Sequence, residues 1–572
     1  MEILLKGKKI EKKFQNELPV HEVCKQLGIE PSCDVVALKE KNEVHELTYI
    51  AKNDSKIQLV GVEDIDGYRI YSRSLVFLLL KAIKEVFNEG DIIVRNSIDN
   101  GTYCELVGIG EVTKEKVALI EDKMKELVQR NIPFKKTVIQ LEEPRKAYRK
   151  MVKNKEVIKI NDKEKEYIKR NSFSISLIEN LIKYTEKKEI SIYECDGLSN
   201  YFYGYMVPHT GYLNKFRLEA YQKGLVLLCP NVKTPKEIPN FVEQKNLFSV
   251  FLEFKEWNSI MNVENVASIN SFIENGQIGI CIRVAEALQE KKIAQIADMI
   301  CNSKDKKKIV LIAGPSSSGK TTFSKRLAIQ LLVNKKIPVT IGLDDYFLNR
   351  SETPLDEDGN LDYESINALD LKLFNENLLD LINGKEVTIP IYNFKTGKRE
   401  EHGRKMKLQD DSIIVVEGIH GLNEKLTELI DKKDKFKIYI SALTNLNLDE
   451  HNRIYTTDNR LLRRIVRDNQ FRGITAKETI ERWHLVRKGE EKNIFPFQEN
   501  ADVIFNSALI YEIFVLKRYA TKLLKEIDNS CPEYIEARRL LGFLSYFKEA
   551  PIKNIPQHSI LKEFIGGSCF DV

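Results

Sequence analysis

One octapeptide constrains this chain more than any other feature. Gly314-Pro315-Ser316-Ser317-Ser318-Gly319-Lys320-Thr321 satisfies G-x-x-x-x-G-K-[ST] at every fixed position. The apolar run Ile309–Ala313 precedes it, and Thr322–Val333 follows as an amphipathic helix. The order strand, loop, helix is what phosphate binding requires. Gly314 and Gly319 let the backbone wrap closely round phosphate oxygens, and the loop amides and helix N-terminus supply positive potential. Such a segment is expected inside an α/β unit built on a parallel sheet.

The residues on either side agree. Further strand candidates are Val339–Leu343, Ile413–Val416, Lys437–Ser441 and Val503–Asn506, with helices between them. This alternation predicts a parallel sheet covered on both faces. With 572 residues and roughly 150 per domain, three or four domains are expected. Residues 1–60 read as a small β-rich module, with strands at Asp34–Leu38 and Val44–Leu47 and a helix at His21–Leu27. Residues 61–225 read as an α+β domain with helices at Ser74–Phe87 and Phe173–Tyr184. Residues 226–302 form a helical connector, clearest at Val284–Ile300, and 303–510 the phosphate-loop domain. Residues 511–572 are a C-terminal helical extension.

Bulk properties narrow the class. A net charge of +5 on 89 basic and 84 acidic residues is too small an excess to argue for nucleic acid. The longest apolar run near the N-terminus, Leu75–Leu80, falls far short of the ~18 residues a membrane span needs. Met1–Lys13 is charged and lacks an apolar signal region. Nine scattered cysteines without a C-x-x-C pair suit reduced thiols, so a cytoplasmic enzyme is the default. A homo-oligomer is compatible with all of this.

The loop residues Gly314 to Thr322 are expected to bind ATP, with Lys320 reaching the β- and γ-phosphates and the Thr321 hydroxyl on Mg²⁺. Asp344-Asp345-Tyr346-Phe347 ends the second strand, at the sheet edge where ligands bind. A carboxylate there can accept a hydroxyl proton and touch the metal shell, the lesser alternative being a helix or turn cap. Ile413–Gly418 is a buried strand ending in Glu417, which is expected near Mg²⁺ or at a helix cap. In Asp458–Asp468, the i, i+3, i+4, i+7 spacing puts Arg460, Arg463, Arg464 and Arg467 on one helix face. That face suits a lid spreading charge on a transferring phosphate, or a solvated salt-bridged surface.

Together these residues resemble the uridine kinase and phosphoribulokinase family of P-loop kinases over about Ile309 to Asn506. The likeness includes Pro390-Ile-Tyr-Asn-Phe394 and Val416-Glu-Gly-Ile419. It implies Asp344 as catalytic aspartate, Lys320, Arg463, Arg464 and Arg467 in phosphoryl transfer, and Thr321, Asp344 and Glu417 about the metal. It implies substrate contacts from Asp345, Tyr346, Glu364, Tyr392, Phe394 and Arg460. The implied reaction is uridine + ATP to UMP + ADP, at a ribose 5′-hydroxyl. Pyrimidine kinases of the family carry a base-reading histidine where this chain has Gly397, so the base stays open, as do another small alcohol or an ATP-switched RNA-binding protein.

The front half carries a second resemblance. Residues 1–60 look like a β-grasp-like TGS module, and 61–225 resemble the editing domain of threonyl- and alanyl-tRNA synthetases. Pro208-His209-Thr210-Gly211-Tyr212-Leu213 is the best segment. That family's metal-binding pattern is degenerate here, with Arg73, Phe77 and Tyr205 at three ligand positions and only His209 kept. Zinc binding and editing hydrolysis are not expected.

Overall fold

The computed structural model describes residues 1–12, 17–140, 183–355, 359–393 and 396–571. Most of the helix expected at Phe173–Tyr184, and Phe394, lie outside the described residues.

The C-terminal half is built on a five-stranded sheet. Its spatial order is Ile337–Gly342, Ser412–Glu417, Ile309–Ala313, Lys435–Ser441 and Val503–Asn506, all neighbours parallel. Side chains alternate between the two faces of a strand. Val310 and Ile312 meet Phe323, Leu327 and Leu331 of the helix Lys320–Val333 in one core. Ile309 and Leu311 belong to another, with Phe374, Leu378 and Leu381 of the helix Leu371–Ile382. Burial on both sides is why these strands read as unbroken apolar runs. The strand Ile337–Gly342 begins two residues before the expected Val339 and contains Pro338, which its edge position tolerates.

The core behind the central strand is shared. It includes Ile293, Ile296 and Ile300 from the helix Ile278–Cys301, which starts six residues before the expected Val284. It also takes in Phe514 and Leu516 of the helix Glu512–Lys525, Leu540 and Phe543 of the helix Tyr534–Leu544, and Ile560, Leu561 and Phe564 near the C-terminus.

In the front half, residues 1–60 form a mixed sheet ordered Lys8–Glu11, Glu2–Leu5, Lys56–Val60, Ala37–Glu40, Glu43–Glu46, with the helix Val20–Gln26. Next comes the helix Ile65–Val86, capped by the Asp64 side chain, which accepts from the Asp66 amide at 2.9 Å. It begins well before the expected Ser74. A four-stranded antiparallel sheet, Arg217–Tyr221, Gly224–Leu228, Gly101–Val107, Asp91–Ile98, the helix Lys114–Gln129, and a three-stranded antiparallel sheet, Leu198–Tyr201, Glu189–Cys195, Lys135–Gln140, follow in this part. One continuous apolar core joins residues on both sides of position 60, from Ile3 and Leu59 to Phe77 and Leu225. Among the described residues, no helix is long and apolar enough to cross a membrane.

Candidate functional site

Strand register assembles the site. Ile312 lies abreast of Glu417, and Glu417 abreast of Gly342. The three carboxyl ends are therefore level, so the phosphate loop, Glu417 and the turn Leu343–Tyr346 border one crevice. It opens where the chain order reverses: the second strand lies on one side of the first and the fourth on the other.

The loop needs its glycines for local reasons. A Cβ on Gly314 would run into the Ile440 carbonyl, and Gly319 holds φ +85° with Ile560 pressed against it. The hydroxyls of Ser317 and Ser318 are buried without a partner inside the loop. Such buried donors call for an acceptor oxygen. Together with the amides at the N-terminus of the following helix, they fit a polyphosphate.

Lys320 Nζ donates to the carbonyls of Gly314 at 3.0 Å and Pro315 at 3.2 Å. Burial lowers its pKa, and the Glu417 and Glu563 carboxylates oppose that. Thr321 Oγ1 donates to Glu417 Oε1 at 3.1 Å, and Ser324 Oγ to Glu417 Oε2 at 3.3 Å. Burial raises the Glu417 pKa against the pull of Lys320. One hydroxyl and one carboxylate facing a phosphate loop suit Mg²⁺. That ion keeps several waters and takes phosphate oxygens rather than an all-protein cage.

Asp344 stands at the mouth of the crevice with Asp345 beside it. Loss of water against the crevice walls, and then the Asp345 charge, raise its carboxyl pKa, while Lys320 opposes. Tyr346 is not at the mouth. It is fully buried, its ring 4.9 Å from that of Phe374 and its hydroxyl accepting from Asn377 Nδ2 at 3.1 Å. Glu364 lies against the helix Ala476–Asn493, so close that a Cβ on Gly489 would sit 2.6 Å from its Oε2. Its pKa is raised by desolvation, then by Glu490 and Asp362. Tyr392 is buried, its ring centroid 5.6 Å from that of Phe347. Gly397 occupies a left-handed turn at φ +69°, where a Cβ would meet Arg350 Nε at 2.8 Å.

The four arginines divide into two pairs. They lie on the helix Thr456–Arg472, which is no detached flap: Leu461, Leu462, Ile465 and Val466 anchor it in the core. Arg460 and Arg463 are 1% and 0% exposed. Arg460 Nε donates to the Ser316 carbonyl at 3.0 Å and pairs with Glu490. Arg463 Nη1 donates to the Ser317 carbonyl at 3.2 Å, Nη2 to the Ser507 carbonyl at 2.8 Å, and the guanidinium pairs with Glu512. These two clamp the loop from its carbonyl side rather than line the crevice. Arg464 and Arg467 are half-buried. Arg464 Nη1 donates to Ser316 Oγ at 2.7 Å, and Arg467 pairs with Asp468 at 3.2 Å. Arg467 is close enough to Lys320 to help depress its pKa.

Three carboxylates reach the loop from distant segments of the sequence. Glu490 accepts from the Ser316 amide at 2.9 Å, Glu512 neutralises Arg463, and Glu563 accepts from Thr322. No local motif marks any of them. In the front half, Arg73 Nη1 donates to the Tyr205 carbonyl at 2.8 Å, and Phe77 is buried against Phe134 and Phe202. His209 Nδ1 accepts from the Gly211 amide at 3.2 Å.

Comparison with known proteins covers the same region. Residues 309–512 match the Phosphoribulokinase / Uridine kinase family. The uridine kinase of Macrococcus caseolyticus is 32% identical over 198 residues, 34% of this chain and 86% of that protein. The Halalkalibacterium halodurans uridine kinase is also 32% identical over 198 residues, 34% of this chain and 84% of its own length. A solved structure described as a possible uridine kinase from Bacillus stearothermophilus aligns at 19% identity and a TM-score of 0.25, covering 38% of this chain and 100% of that one. Through this C-terminal third, the chain belongs to the phosphoribulokinase / uridine kinase family and is a kinase, a phosphotransferase with an alcohol group as acceptor.

Proposed function

We propose that the protein is an ATP-dependent nucleoside kinase that phosphorylates a ribose 5′-hydroxyl, with uridine the first acceptor to expect. The observation that carries this reading is the convergence of Asp344, Lys320 and the Thr321–Glu417 pair on one crevice, by the register of three parallel strands. The curated relatives that match are named uridine kinases. In this reading residues 303–510 carry the chemistry.

Each residue has a task its surroundings suit. Asp344, with its raised pKa, orients the acceptor hydroxyl and takes its proton, as a carboxylate poised nearer to neutrality does best. Lys320 leaves the carbonyls it now holds to neutralise phosphate oxygens, and Arg464 and Arg467 face the same charge from the helix Thr456–Arg472. Arg460 and Arg463 position the loop. Thr321 and Glu417 would hold Mg²⁺, which when bound supplies charge neutralisation on the phosphate oxygens. Glu364 is placed for a ribose hydroxyl, and Tyr392 forms an aromatic wall for the base.

For the front half we infer a TGS-like module and an editing-like domain that keep architecture without editing chemistry. Arg73 and Phe77 are committed to packing and backbone contacts. Nine unpaired cysteines suit a reducing cytoplasm.

The test is ADP release with Mg²⁺-ATP across ribonucleosides, deoxyribonucleosides and sugar phosphates, beside Asp344→Asn. One ribonucleoside turned over strongly, and lost in Asp344→Asn, is the expected result. Turnover of sugar phosphates alone would reassign the acceptor, and Asp344-independent turnover would remove the proposed base.

A further inference from the structure

The C-terminal segment of the chain packs on Gly319 and on the start of the helix that follows the phosphate loop. Thr322 is the third residue of the helix that follows the loop, and its amide is one of those left free at a helix N-terminus. Here that amide donates to Glu563 Oε2 at 3.1 Å and the Thr322 hydroxyl to the same oxygen at 2.8 Å. Thr322 is fully buried and Glu563 nearly so. Glu563 is thereby held one residue from Thr321, at the start of the helix that follows the phosphate loop.

The segment is held by several separate contacts. Ile560 packs on Gly319, and Ile560, Leu561 and Phe564 enter the core. The Ile565 carbonyl accepts from Gln470 Nε2 at 3.1 Å, linking the segment to the arginine helix. Lys325 of the loop helix binds the Asp571 carbonyl.

Resting on the kinase reading above, we infer that residues 559–571 form an autoinhibitory strap, in which the Glu563 carboxylate occupies donors that the nucleotide's phosphates require. A carboxylate and a phosphate oxygen compete for the same thing, an N–H and O–H pair at a positive helix end. The closed and nucleotide-bound forms then exclude each other at Thr322. Whatever lifts the strap raises the apparent affinity for ATP by enlarging the competent fraction of molecules.

Two measurements on the full chain test this. The first is Mg²⁺-ATP affinity and KM of wild type and Glu563→Gln. The glutamine keeps the side chain's size and removes its charge, so KM should fall by roughly tenfold, the factor a charge-assisted hydrogen bond carries. The second is amide hydrogen exchange over 559–571 in wild type with and without a non-hydrolysable ATP analogue, which should speed up on binding. This readout does not depend on the variant folding. Unchanged KM and unchanged or slowed exchange, with ATP binding intact, overturn the strap and leave the kinase reading standing. If neither wild type nor Glu563→Gln binds ATP, both readings fall.

Discussion

Replacing Arg463 with alanine separates residues that hold the phosphate loop from residues that act on phosphate. Arg463 is 0% exposed and spends its guanidinium on Glu512, the Ser317 and Ser507 carbonyls and Ser507 Oγ. Glu512 is equally buried, and desolvation already raises its pKa against the pull of Arg463. Truncating one partner of such a pair leaves an uncompensated buried charge and costs about 3–5 kcal/mol. At roughly 2–4 °C per kcal/mol for a unit of this size, the unfolding temperature should fall by about 6–20 °C. Thermal unfolding followed by calorimetry reads this directly. The double replacement Arg463→Met with Glu512→Leu removes both charges and should recover most of the lost stability, because an apolar pair of similar volume often does as well. It should not recover full activity, since the Ser317 carbonyl loses its clamp. An Arg463→Ala protein with wild-type unfolding temperature and abolished kcat would return Arg463 to the chemistry.

Further outcomes are expected. Arg464→Ala and Arg467→Ala should lower kcat by ~10²–10³, the loss typical of one preorganised electrostatic partner, with little change in unfolding temperature, in steady-state kinetics beside calorimetry. The acid limb of kcat/KM should lie above the ~3.9 of an ordinary aspartate, because desolvation at the crevice mouth and Asp345 raise Asp344. Activity is then lost as pH falls through that raised value and Asp344 takes up its proton, and the limb should be absent from whatever activity Asp344→Asn retains. Arg539→Ala should loosen the front half from the kinase unit, since Arg539 pairs with Asp458 at 2.7 Å and with Glu536, which also binds Arg69 at 2.9 Å. Limited proteolysis should then cut between the halves faster than in wild type.

The centre of the kinase sheet is legible because its strands are buried on both faces and bounded by turns. Ile309–Ala313 and Val503–Asn506 were read to the residue, and the phosphate loop announced itself by motif. The first turns of the helix Ile65–Val86 were hidden by Asp66-Gly67-Tyr68-Arg69, whose polar groups find partners on distant segments, as Arg69 does on Glu536. Helical spacing puts four arginines on one face. It could not say that Arg460 and Arg463 sink while Arg464 and Arg467 stay half-open, because that depends on Glu490 and Glu512 arriving from later helices. Glu563 meets Thr322 across 241 residues of sequence, and no local pattern encodes such a contact.

The most direct test of the central claim is ³¹P NMR of the products formed by the purified chain from Mg²⁺-ATP and uridine, beside Lys320→Ala. Wild type should yield equimolar ADP and nucleoside 5′-monophosphate, and the variant neither. ADP with inorganic phosphate and no nucleotide ester, for every nucleoside tried, would contradict it.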